Sequence, residues 1–218
     1  SDAAMPDQMT GLYGRRSALS FAYDRANLLT LAGLVCGCLA IWFSIRGAYT
    51  AASTALLWAL FCDWFDGPLA RRLTNRTDQD RSFGAQLDSL TDIVSSGVAP
   101  ALLLLSVGDF EPWFLPGAFL LVIAGAIRLA HFHLYANDGG AYSGLSIDTN
   151  IIVVTALLPF RELFGNVTFP LVLYAAVVAL AILNVAPFRM PKLVGGWSYV
   201  IAIYVAGMTA LNLSSMMR

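Results

Sequence analysis

The chain has 218 residues, of which 58% are hydrophobic and only 12% charged, and its mean hydropathy is +0.68. Soluble domains carry about 25% charged residues, so this composition excludes an ordinary water-soluble globule and indicates a polytopic membrane protein. The formal net charge of −1 gives no electrostatic footing for nucleic acid.

In chain order, residues 1–4 read as an expression scar ahead of Met5. Residues 5–26 form an N-terminal cytoplasmic segment, in which residues 10–24, with Arg15 and Arg16, are expected to make a surface helix. A single transmembrane domain follows over 27–218. Its spans are marked by runs free of Asp, Glu, Lys and Arg: 26–45, 47–62, 93–108, 112–127, 149–160, 163–188 and 193–217. A helix needs about 20 residues to cross a bilayer, so the shorter runs must extend into charged neighbours. The reading is an all-α integral membrane bundle of about seven transmembrane helices, near 27–45, 48–73, 84–107, 113–135, 146–162, 167–186 and 195–214. The first apolar run is long enough to span, so no cleavable signal peptide is expected. Cys36, Cys38 and Cys62 lie in apolar segments with no histidine nearby, and read as reduced, buried thiols.

Basic residues give the orientation. With a cytoplasmic N-terminus, Arg15, Arg16, Arg25, Arg71, Arg72, Arg76, Arg81, Arg128, Arg189 and Lys192 share that side, against Arg46, Arg161 and Arg218 on the other. The end of the second helix and the start of the third then lie at the cytoplasmic face.

Four aspartates sit at that point: Asp63 and Asp66, three apart, and Asp88 and Asp92, four apart, so that each pair shares a helix face. A carboxylate at hydrocarbon depth costs roughly 2.5–3.5 kcal/mol on insertion scales, which demands compensation. The polar stretch 74–83 reverses the chain, letting the two faces converge, and one or two hard divalent cations would balance the charge. Gly67 and Gly84 leave room for a ligand, and the Arg71 fork suits a phosphate oxygen. Carboxylates that merely mark a membrane boundary would explain isolated Asp78 and Asp80, but not the paired set. A divalent-cation transporter is the competing class, although its site would more often sit at the bilayer midplane between repeats.

The pattern Asp63-x2-Asp66-Gly67-x2-Ala70-Arg71, then Gly84-x3-Asp88-x3-Asp92, resembles the signature of the CDP-alcohol phosphotransferases, integral membrane enzymes of phospholipid synthesis. Twelve residues separate Arg71 from Gly84, where the family usually has eight. The resemblance implies transfer of a phosphatidyl group from CDP-diacylglycerol to an alcohol, with release of CMP. It also implies a Mg2+ or Mn2+ cofactor, two ions, bound by Asp63, Asp66, Asp88 and Asp92, with Asp92 as general base. By the same carry-over Gly67, Ala70, Arg71 and Gly84 contact the nucleotide, joined by Asn27 and Thr30 of the first helix. A homodimer in a bacterial or archaeal-type cell membrane is the family expectation, with the active site at the cytoplasmic face.

The acceptor is read from finer features. Asn27-Leu-Leu-Thr30, the run Leu87-Asp88-Ser89-Leu90-Thr91-Asp92 continuing to Gly97-Val98-Ala99-Pro100, and Arg128-Leu129-Ala130 look like the phosphatidylserine synthases of this family. Asp66-Gly67-Pro68-Leu69-Ala70-Arg71-Arg72 and Gly144-x5-Asn150 look more like phosphatidylcholine synthases. L-Serine needs a cation for its carboxylate and an anion for its ammonium, which Arg128 and Asp148 can supply; Asn150 and His131 are further candidate contacts. Choline, the alternative acceptor, wants an aromatic cage, for which Trp64, Phe132, Tyr135 and Tyr142 are candidates by position.

Overall fold

The computed structural model describes residues 17–74, 76–135, 142–190 and 197–217, with backbone alone for Ala18, Tyr135, Tyr142, Ser143, Arg189 and Met190. The proposed scar, Arg15, Arg16, Lys192 and Arg218 lie outside the described residues, as do the side chains of Tyr135, Tyr142 and Arg189. Of the expected surface helix, the described part is a single turn, α1 (Ala18–Ala22), capped by the Ser17 side chain. It is followed by α2 (Arg25–Ile45), α3 (Tyr49–Arg72), α4 (Asp78–Asp92), a π-helical segment (Ile93–Val98), α5 (Ala99–Val107) and α6 (Leu115–Tyr135). The remaining helices are α7 (Thr149–Leu157), α8 (Arg161–Val185) and α9 (Trp197–Met216).

Each of the seven helices expected from the uncharged runs has its counterpart here. Among the described residues, five stretches are long and apolar enough to cross a membrane: Arg25–Ile45, Asp78–Val107, Pro112–Leu134, Thr149–Val185 and Trp197–Met216. The fourth of these, at 37 residues, contains both the fifth and the sixth expected helix. Gly165, with φ at 73°, breaks the helical path within it, a left-handed conformation that glycine adopts without steric cost. The chain has turned back by its end, because Asn184 Nδ2 donates to Asn150 Oδ1 at 3.2 Å and Leu145 N to the Leu183 carbonyl at 2.9 Å. Helix α3 is 24 residues long, yet it carries Asp63, Asp66, Arg71 and Arg72 in its second half and is not among the five.

Helix α2 packs against α3, α4 and the π segment. Small residues permit this closeness: a Cβ on Gly33 would lie 3.1 Å from Cys62 Cβ, and one on Gly37 would lie 3.0 Å from Ser95 Cβ. The core is built from Leu56, Leu57 and Leu60 of α3, Leu103 and Leu104 of α5, Leu121 of α6, and Phe169, Leu173 and Val177 of α8. Val35, Trp42, Phe119, Ile123, Leu171 and Ile203 are exposed instead, an apolar coat that water would not tolerate and lipid does. Cys62 is buried as expected; Cys38 is exposed and Cys36 half-buried, because α2 turns that face away from the bundle.

The third helix starts earlier than its apolar run. Thr77 and Asp80 form a capping box: Asp80 N donates to Thr77 Oγ1 at 3.2 Å, and Thr77 N donates to Asp80 Oδ2 at 2.9 Å. Residues 78–83, read from sequence as part of a loop, are therefore the first turns of α4. Further along, Pro100 has no N–H to offer the Ser96 carbonyl four residues back. Asn150 Nδ2 donates to that carbonyl at 2.9 Å, fastening α7 to the π segment.

Candidate active site

One carboxylate oxygen from each of Asp63, Asp88 and Asp92 lies within 4.8 Å of the others. Asp63 comes from the second half of α3; Asp88 and Asp92 lie on successive turns of one face of α4. Oxygens sharing a hard cation at about 2.0–2.6 Å are separated by no more than about 5 Å, so the donor set and its spread suit Mg2+ or Mn2+. Asp92 Oδ1 is buried with no hydrogen-bond partner, as a ligand oxygen directed at a cation would be.

Asp66, one turn beyond Asp63, is buried but engaged differently. Its Oδ2 is hydrogen-bonded by Thr30 Oγ1 of α2, which ties the first helix to the site. The structure therefore gathers three of the four motif carboxylates into one group and sets the fourth beside them.

Of the residues expected to contact the nucleotide, Asn27 and Thr30 are buried on α2. The Asn27 amide is committed on both sides: Nδ2 donates to the Phe21 carbonyl at 2.8 Å, and Oδ1 accepts from Arg76 Nη2 at 3.1 Å. Each motif glycine is faced by a guanidinium. A Cβ on Gly67 would lie 3.6 Å from Arg71 Nη1, and one on Gly84 would lie 2.7 Å from Arg76 Nη2. Ala70 is half-buried and Arg71 is exposed on the same turn of α3. Sequence reading counted Arg76 only among the basic flank. The signal that could have singled it out is its place one residue ahead of the Thr77 cap.

Asp148 sits just before α7, where its segment is pinned to the end of α8: Gly144 N donates to the Phe188 carbonyl at 2.9 Å, and residues Tyr142–Ser143 pair antiparallel with Arg189–Met190. Its carboxylate lies within electrostatic reach of Asp63, Asp66, Asp88 and Asp92, and also of Arg128 on α6. Ser146 Oγ donates to Asp148 Oδ2 at 3.1 Å. Burial pushes the Asp148 carboxyl above the ordinary carboxylate range, opposed by the Arg128 guanidinium and the Ser146 hydroxyl. Arg128 Nε is buried without a hydrogen-bond partner, and the Trp64 indole N–H stands close enough to act on the Asp148 carboxylate. The sequence points to Trp64 only as a cage aromatic, because the nearness of its indole N–H to Asp148 depends on partners distant in the chain.

The other acceptor candidates are placed differently. Asn150 is 0% exposed and its amide is spent on Ser96 and Asn184. His131 is exposed on α6; it is His133 that approaches α4, with Nε2 3.5 Å from Ser89 Oγ. The Arg128 guanidinium lies 5.9 Å from the Phe132 ring centre, so that aromatic face already meets a cation.

Comparison with known proteins gives a consistent picture. The family model described as CDP-alcohol phosphatidyltransferase matches residues 24–215. The chain is 32% identical over 170 residues to the archaetidylserine synthase of Methanothermobacter thermautotrophicus, covering 78% of this chain and 70% of that one. It is 32% identical over 172 residues to a CDP-diacylglycerol–serine O-phosphatidyltransferase of Helicobacter pylori, covering 76% and 71%. A protein of the same description from Bacillus subtilis is 31% identical over 122 residues, covering 55% of this chain and 67% of its own length.

Proposed function

Because this chain belongs to the CDP-alcohol phosphatidyltransferase family, and is therefore a transferase of phospholipid synthesis, we propose that it moves the phosphatidyl group of CDP-diacylglycerol onto L-serine. The observation that carries the acceptor assignment is the Arg128–Asp148 pair beside the aspartate group. The serine-specific descriptions of its relatives support the same reading.

Asp63, Asp88 and Asp92 would hold the metal, with Asp66 beside them. The chemistry a bound Mg2+ or Mn2+ pair supplies there is neutralisation of the two phosphates. Gly67, Ala70, Arg71 and Gly84 line the nucleotide end, where Arg71 can fork two phosphate oxygens. Arg128 takes the serine carboxylate and Asp148 its ammonium, which turns the serine hydroxyl toward Asp92. Asp92 accepts the hydroxyl proton as the serine Oγ–phosphorus bond forms and the phosphorus–oxygen bond to CMP breaks. The apolar coat of α2 and α6 gives the acyl chains a bilayer environment throughout, and the basic flank supports a cytoplasmic site.

Serine is favoured over choline because Phe132 is already occupied by Arg128, and because choline has no carboxylate for that arginine to meet. Transport is disfavoured by the chain's membership of a transferase family. The test is CMP release by the purified protein with CDP-diacylglycerol, Mn2+ and one acceptor at a time: serine, choline, inositol phosphate or glycerol phosphate. Release with serine alone is expected. Release with choline alone would replace the acceptor, and no release with any of the four would overturn the reading.

A further inference from the structure

We propose that Arg76 is a positioning residue for the nucleotide end of the site, clamping the α1–α2 junction onto the first turns of α4 so that the CDP moiety meets a preset surface. The proposal rests on the functional reading above. Nothing in the motif assigns this residue a role, since it falls between Arg71 and Gly84, in the stretch that varies in length.

The start of α2 and the first turns of α4 converge on its guanidinium. Arg76 Nε lies 2.6 Å from Asp24 Oδ2, and the two side chains are 10% and 16% exposed. Nη2 donates to Asn27 Oδ1 at 3.1 Å and to the Asp80 carbonyl at 3.3 Å. The same Nη2 occupies the space a side chain on residue 84 would need. Its charge is also felt at Asp66. A linker arginine held only by water would keep its rotamer freedom, whereas this one gives that freedom up at three separate contacts.

The partners matter as much as their number. Asp24 caps α2 through Ala26 N at 3.3 Å, so the ion pair fixes the start of the helix that carries Asn27 and Thr30. Donation to Asn27 Oδ1 decides which way that amide points, leaving Nδ2 for the Phe21 carbonyl. Phe21 in turn stacks on Phe83, beside Gly84, at 5.2 Å between ring centres. One guanidinium thus sets the amide of Asn27, the approach to Gly84 and the seat of α1. All three border the place assigned to the nucleotide, whereas the contacts that hold Asp148 come from Ser146 and the residues around Arg128. Its influence should therefore fall on the nucleotide substrate and spare the acceptor.

The experiment compares the 218-residue wild type with Arg76→Ala, Arg76→Lys and Asp24→Asn, measuring CMP binding by calorimetry with Mn2+ and steady-state kinetics in both substrates. The expected result is about a tenfold rise in the CMP Kd and in KM for CDP-diacylglycerol, with kcat within about twofold and the serine KM unchanged. Lysine keeps the charge but not the three-way geometry, so Arg76→Lys should recover only part of the loss. Asp24→Asn keeps a capping side chain on α2 while removing the ion pair, which keeps the test alive if Arg76→Ala fails to fold. Unchanged CMP Kd and KM in both Arg76→Lys and Asp24→Asn, with lower yield or melting temperature as the sole effect, would make Arg76 a structural brace and overturn the proposal. A wild type that binds no CMP would overturn the functional reading itself, and this inference with it.

Discussion

Replacing Asp88 by asparagine should raise the stability of the metal-free protein while removing most of its response to Mn2+. One oxygen of each of Asp63, Asp88 and Asp92 lies within 4.8 Å of the others. Two unit charges at that separation repel by about 3.5 kcal/mol at an effective dielectric constant near 20. Asp88→Asn deletes two of the three pairs, which at full ionisation and 4.8 Å amounts to about 7 kcal/mol of repulsion. Relaxation and solvent reduce this, and a realised gain of about 2 kcal/mol corresponds to an apparent Tm higher by about 4–8 °C in a chain of this size. Wild type in Mn2+ at 100 times its Kd gains about 2.7 kcal/mol, or about 5–10 °C, through preferential binding to the folded state. The assay is thermal unfolding of detergent-purified protein, first in chelator and then in Mn2+. The variant should melt above wild type in chelator and shift little when metal is added. A variant that melts below wild type in chelator, and then gains as much as wild type from Mn2+, would refute the shared-cation reasoning.

Two other substitutions separate roles that proximity alone leaves mixed. Asp92→Asn should lower CMP release about 10²–10⁴-fold, the usual contribution of a positioned base, while calorimetric CMP binding persists; full turnover would remove Asp92 as the proton acceptor. Asn150→Leu strands the Ser96 carbonyl and Asn184 Nδ2, at about 1–3 kcal/mol for each buried group, so melting should fall by several degrees while the serine KM of the folded enzyme holds. A raised serine KM with an unchanged Tm would instead make Asn150 an acceptor contact.

The aspartate group was legible because its information is local. Spacings of three and four put each pair on one helix face, and only one reversal of the chain was needed to bring the faces together. Uncharged runs located the helices for a similar reason, since hydrocarbon filters charge residue by residue. What escaped was set by partners distant in sequence. Spacing could not say that Thr30, 36 positions away, would engage Asp66 and leave the other three carboxylates as a group. Asn150 read as a contact for substrate because a polar residue at a helix start is expensive to strand; its partner proved to be a carbonyl left over by Pro100, 50 residues earlier. The start of α4 was hidden for a different reason. Its first two turns are polar, and a capping box is a hydrogen-bond signature that hydropathy does not register.

The π segment between Asp92 and Ala99 makes the long helix Asp78–Val107 a rod with a phase joint. Each residue of an α-helix advances the azimuth by about 100°, so the wider turn offsets everything on one side from everything on the other. Above the joint, the azimuth is dictated by Leu103 and Leu104, which have no freedom in a packed interior. Below it, the aim of Asp88 and Asp92 is a separate variable. Deleting a single residue from Ile93–Val98 would remove the wide turn and swing the carboxylate pair by about 100° relative to the leucines above it, away from Asp63. Chemistry and packing thus share one continuous element, and the joint sets the angle between the aspartates and the leucines that anchor them.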